Sequence, residues 1–87
     1  MARKARGLTK SLYLPEHRAL CDLLIAARQQ RALTQQVVAQ RLGRPQSFVS
    51  KYEGGERRLD VIEFLEVADA LETDPLALLR KLRKLQT

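Results

Sequence analysis

Eighty-seven residues make room for one small domain and not for two with separate cores. Apolar residues make up 45% of the chain and only four are aromatic, with Leu and Ala dominating, so helices are favoured over a sheet. The net charge of +6, a single Cys and a single His exclude an intramolecular disulfide and an ordinary zinc site, and point towards a polyanionic partner.

The spread of charge is more informative than its sum. Arg3, Lys4, Arg6 and Lys10 stand at the N-terminus without an acid, and Arg80, Lys81, Arg83 and Lys84 stand together near the other end. Between them Asp60, Glu63, Glu66, Asp69, Glu72 and Asp74 form a stretch without a base. Residues 1–13 lack a helical stripe and read as a flexible basic arm, either a solvated tail or a reach towards phosphates or a minor groove. Leu8 to Leu14 is too short and too polar for a signal peptide, and no stretch approaches membrane-span length, so a cytoplasmic protein is expected.

Residues 14–87 read as a single domain. Pro15 and Glu16 suit the opening of a first helix, along which Leu20, Leu23, Leu24 and Ala27 form a stripe up to Arg31. Cys21 reads as a packing residue and His17 as a surface one. Thr34 is a suitable N-cap for a second helix whose Val38, Ala39 and Leu42 share a side at 100° per residue. Gly43 follows, where a chain leaving a helix needs a residue that tolerates positive φ. A third helix from Gln46 to Glu53 buries Val49 and Tyr52 and turns Gln46, Ser47, Ser50 and Lys51 outwards as a compact polar face.

Gly54 to Arg58 is a turn. Asp60, with Glu63 three residues on, caps a fourth helix whose buried face is expected from Val61, Phe64, Leu65, Ala68 and Leu71. Its acids read as a solvated face held away from DNA. Asp74-Pro75 starts a fifth helix over residues 75–86. Its leucines separate into Leu76 with Leu79, and Leu78, Leu82 and Leu85 on roughly the opposite side. One group can close the core; the other, taken to be Leu78, Leu82 and Leu85, is left for a homodimer seam unless the final turns fray or fold back.

Leu33-Thr34-Gln35, Val38-Ala39, Leu42-Gly43, Gln46-Ser47, Val49-Ser50 and Glu53-Gly54-Gly55, in that order and spacing, resemble the Cro and phage-repressor type of helix-turn-helix, the XRE family. The resemblance runs from about Leu20 to Leu79. It implies an all-α, five-helix, lambda-repressor-like domain with the helix-turn-helix formed by helices 2 and 3. It implies that Arg28 pairs with Glu53 and locks the first helix onto the third, and that Gln46 reads a base while Gln35 braces it. Pro45 departs from the family pattern, which usually has a capping Ser or Thr there; the lost cap is worth about 1 kcal/mol, partly offset by proline's fixed φ.

The chemistry of recognition follows from the side chains. A helix fits the major groove, where each base pair displays its own donors and acceptors. Gln46 can bond an adenine edge twice, Ser47 and Ser50 can reach a base or a phosphate, and Lys51 can read guanine or neutralise a phosphate. Phe48 either packs on a thymine methyl or is partly buried. Thr34, Gln35, Arg44, Arg57 and Arg58 are the candidates for the DNA backbone.

The expected function is a sequence-specific transcription regulator on double-stranded DNA, a repressor acting as a homodimer on a palindromic operator, since nothing else in the chain is suited to recruiting polymerase or sensing a ligand. The alternative is an antitoxin-like module that neutralises a partner protein and autoregulates its operon. No cofactor and no metal are expected. An enzyme is not expected either: there is no His or Cys cluster, no phosphate-binding glycine loop, and the carboxylates form a solvated row.

Overall fold

In the computed structural model, residues 14–85 are described, and the arm expected over residues 1–13 lies outside them. Five helices follow one another: α1 (Pro15–Gln30), α2 (Gln35–Leu42), α3 (Gln46–Glu53), α4 (Val61–Ala70) and α5 (Pro75–Leu85). No strand is present among the described residues.

Local chemistry sets most of the helix ends. Pro15 occupies the first turn of α1, and Leu14 O accepts from His17 N and Arg18 N. The helix stops where Leu33 N donates to Arg28 O over Ala32, which is forced to φ 55°. Thr34 Oγ1 accepts from Val37 N at 3.1 Å and caps α2; Gly43 ends it at φ 67°, a conformation that costs a glycine little. Pro45 stands before α3 without a side-chain cap, as its chemistry requires. Asp60 and Glu63 complete both halves of a capping box at the start of α4, and Asp74 Oδ1 accepts from Leu76 N at the start of α5.

The core gathers Leu24 from α1, Val38 and Ala39 from α2, Val49 and Tyr52 from α3, Val67 and Leu71 from the α4 region and Leu78 from α5. The edge of one ring in the Phe48–Tyr52 pair meets the face of the other, with centroids 5.5 Å apart. Helix α2 lies against α3 and α4, α1 against α3 and α5, and α5 against α1 and α4. The recognition pair is therefore held from behind while the outer side of α3 stays open.

Three expectations change at this level. His17 is buried rather than on the surface, its Nε2 3.8 Å from Cys21 Sγ, because residues 17, 21 and 24 share a stripe that begins one turn before Leu20. The buried face of α4 is Phe64, Val67, Ala68, Ala70 and the following Leu71, whereas Val61 and Leu65 face outwards at 71% and 45% exposure. The helix is rotated so that Val67, between the two apolar stripes, points inwards.

The third change concerns the seam. Leu78 is only 3% exposed and belongs to the core, Leu82 is half-buried, and Leu85 overhangs the end of the packed region. The longer leucine stripe is thus the one that docks α5 onto α1 and α4, and Leu76 and Leu79 are left outside. Among the described residues no helix is long and apolar enough to cross a membrane.

Candidate nucleic-acid interface

The outer side of α3 carries Gln46, Ser47, Ser50 and Lys51, all exposed, while Phe48, Val49, Tyr52 and Glu53 are buried beneath them. Eight residues at 100° each divide into these two faces because the apolar positions recur at 48, 49 and 52. Ser50 Oγ donates to Ser47 O at 3.2 Å, which steadies the middle of the polar face.

A chain of hydrogen bonds ties this face to the rest of the domain. Arg28 Nε donates to Glu53 Oε2 at 2.7 Å and Arg28 Nη2 to Glu53 Oε1 at 3.1 Å, while Arg28 Nη1 donates to Leu33 O at 2.8 Å. Gln35 Nε2 donates to Glu53 Oε1 at 2.9 Å, and Gln46 Nε2 in turn donates to Gln35 Oε1 at 3.4 Å. A carboxylate accepts only, so Glu53 selects the amide orientation of Gln35, and the carbonyl oxygen that remains turns Gln46 by its amino group. Gln46 keeps its own oxygen and one N–H for a ligand, the complementary pair that an adenine edge requires. From α1, Arg18 Nη2 also donates to Glu53 O at 2.9 Å.

The second cluster is built around Glu63. Arg57 donates to both of its oxygens, at 2.9 and 2.8 Å, and Asp60 N donates to Oε1 at 3.0 Å. Arg44 stands 3.6 Å from the same carboxylate and 3.9 Å from Glu66. Both guanidiniums lie over the Phe48 ring, 4.3 Å for Arg44 and 4.9 Å for Arg57. Phe48 is consequently buried, which decides between its two expected roles. The Arg57 guanidinium, with help from the Asp60 N–H, holds the Glu63 carboxyl down at about 2. The reciprocal bonds raise Arg57 and, at the other cluster, Glu53 raises Arg28.

Burial and then the Glu53 charge push the Tyr52 phenol well above its ordinary value, and its buried Oη has no hydrogen-bond partner among the described residues. Burial likewise raises the Cys21 thiol. The described residues hold no group of three or more His, Cys, Asp or Glu that could take a metal ion.

The structure therefore brings the four base-reading candidates onto one face and puts Gln35 beside it. Thr34 is exposed with its hydroxyl engaged as a cap, Arg58 is exposed, and Arg44 and Arg57 lie at the edge with their charge partly offset by Glu63. From the sequence Glu63 is expected as half of a capping box and as one acid of a solvated face; instead it is the counterion of two arginines and largely buried by them. Arg57 and Glu63 meet across an irregular turn, so no helical spacing announces the pair.

The family model described as "Helix-turn-helix domain" matches residues 19–82. Among solved structures, an XRE-family like protein from Pseudomonas syringae pv. tomato str. DC3000 is 52% identical, with a TM-score of 0.82 over 91% of this chain and 96% of that one. The restriction-modification controller protein C.AhdI from Aeromonas hydrophila is 26% identical, with a TM-score of 0.69 over 75% of this chain and 98% of that one. A point mutant of the controller protein C.Esp1396I shares the fold at 18% identity, with a TM-score of 0.74 over 82% and 90% of the two chains. A search of the curated proteins gave no match. With its helix-turn-helix in α2 and α3, the chain belongs to the XRE family of helix-turn-helix DNA-binding transcription regulators.

Proposed function

We propose that the protein is a repressor that binds a near-palindromic operator as a homodimer, with α3 of each copy in a major groove. The observation that carries this is the braced amide of Gln46 on an otherwise short polar face: a side chain fixed before binding gives up less freedom on meeting a base. Gln46, Ser47, Ser50 and Lys51 read bases, and Thr34, Gln35, Arg44, Arg57 and Arg58 set the domain on phosphates.

One recognition helix making about three base contacts through these four residues, at about 1 to 3 kcal/mol each, gives thin discrimination for a genome. Two copies related by a twofold, with their helices about 34 Å apart, double that discrimination over adjacent major grooves. A dimer lying across some two turns of DNA occupies the space a polymerase needs, and repression follows from occupancy. The likeness to C.AhdI, a controller protein, supports a regulatory role.

The test is selection from a random duplex library at about 150 mM salt, where purely electrostatic binding is weakened. Enrichment of a palindrome is expected. Retention of DNA only at low salt, without a common sequence, would overturn specific recognition and direct attention to the antitoxin-like alternative, to be sought as a co-purifying protein.

A further inference from the structure

With Leu78 in the core, the homodimer needs another surface, and two exposed apolar patches remain among the described residues. One is on α4, where Val61 and Ile62 are 71% and 64% exposed and Leu65 stands beside them. The other is on α5, where Leu76 and Leu79 line a shallow groove of about 700 Å³.

The two patches differ in what surrounds them. Arg80, Lys81, Arg83 and Lys84 share the lining of the α5 groove, so pressing two copies together there sets cations against cations. On α4, exposed Arg58 lies just before the patch and exposed Asp69 at its far end, with Ile62 and Leu65 between them. Two such stripes in antiparallel apposition, about a twofold near Glu63 and Phe64, set Ile62 against the partner's Leu65 and Arg58 against the partner's Asp69. The two ends of the patch are thus complementary to each other in charge, as an isologous interface requires, and Glu66 on the flank of the stripe is faced by Arg44 of its own chain at 3.9 Å.

The patch is also fixed relative to the recognition helix. Arg57 and Arg44 lie over Phe48 of α3 and reach Glu63 of α4, so the first turn of α4 is clamped to the start of α3. Helix α5, by contrast, packs on α1 and α4. A half-site spacing is set only by a seam that holds the two recognition helices rigidly.

We propose that the start of α4, centred on Val61, Ile62 and Leu65 and edged by Arg58 and Asp69, is the surface on which a second copy of this chain docks; the proposal rests on the homodimer reading above. Sedimentation equilibrium over a range of concentrations tests it, with helix content checked by circular dichroism. All the substituted residues are exposed, so folding is expected to survive. The wild type is expected to be a dimer, Ile62→Asp to weaken dimerisation by about 30-fold or more, as loss of a central interface side chain does, and Leu79→Asp to leave it unchanged. Arg58→Asp alone is expected to weaken the dimer and Arg58→Asp with Asp69→Arg to restore it.

A dimer that survives Ile62→Asp overturns the α4 surface while leaving the homodimer intact, the more directly if Leu79→Asp abolishes it. A wild type that stays monomeric at every concentration, both alone and on an operator recovered by selection, removes the homodimer itself.

Discussion

Arg28 and Glu53 face each other with two parallel hydrogen bonds, at 2.7 and 3.1 Å, and Glu53 is only 5% exposed. The pair joins α1 to the last turn of α3, so it fixes the angle at which the recognition helix is presented. Removing the guanidinium leaves a carboxylate buried with Gln35 as its one remaining side-chain donor among the described residues. Arg28→Ala is expected to cost about 3 to 5 kcal/mol in urea denaturation, whereas Arg28→Met with Glu53→Leu should recover most of it by removing both charges. A loss below about 1 kcal/mol for the single variant would mean that the carboxylate reaches water after all.

On the proposed reading of Gln46 as a base contact, the bonds from Glu53 through Gln35 to Gln46 make base preference depend on a residue behind that side chain. In a selection experiment Gln46→Ala should lose about 1 to 3 kcal/mol of preference at one operator position. Gln35→Ala should blur preference at that same position by about 1 kcal/mol, since one hydrogen bond's worth of orientation is lost. Arg44→Ala, at a candidate phosphate contact, should weaken all sequences alike and lower the salt slope by about 1. Loss of preference at a different position in Gln35→Ala would break the inferred coupling.

The parts of this fold legible in the sequence are those written locally. Thr34, Gly43, the Asp60 and Glu63 box and Asp74-Pro75 act within a few residues of themselves, and each stands where its chemistry indicates. Gln46, Ser47, Ser50 and Lys51 were readable because one short helix has only two faces. Periodicity could not say which of two apolar stripes on α5 turns inwards, since angle alone carries no sign; nor could it place Val61 and Leu65, which lie at the margin of the α4 stripe. The Arg57, Glu63 and Phe48 cluster depends on how a turn folds back, and no pattern in the chain encodes that.

The placement of Leu78 has a direct consequence for stability. Leu78→Ala should cost about 2 to 5 kcal/mol by opening a cavity between α5 and the core, while Leu76→Ala should stay within about 0.5 kcal/mol. Thermal or urea unfolding of the two variants distinguishes them. A larger loss for Leu76→Ala than for Leu78→Ala would mean that α5 packs by its other face. Leu82→Asp, on a half-buried position, should likewise register as lost stability.

Ala32 holds φ 55° at the end of α1, a left-handed conformation that a Cβ disfavours. Ala32→Gly removes that strain and adds some freedom to the unfolded chain. A net gain of about 0.5 to 1 kcal/mol is expected. At Gly43, with φ 67° and no crowding around a new Cβ, Gly43→Ala should cost about 1 kcal/mol from backbone strain alone. Denaturation midpoints of the two variants should therefore move in opposite directions.

Glu63 gives the fold an acid-sensitive clamp. Its carboxyl titrates at about 2 instead of the ordinary 4.5, so the charged form is favoured in the folded chain. The stability this contributes is complete above pH 4.5 and is lost as pH falls towards 2. Wild type should exceed Glu63→Gln in stability at pH 6, and the difference should shrink across that window; a difference independent of pH would show that the carboxylate's charge plays no part. On DNA the substitution should act the other way. Without Glu63, the charges of Arg44 and Arg57 beside α3 are less compensated, and binding to nonspecific duplex at low salt should tighten, with a steeper dependence on salt.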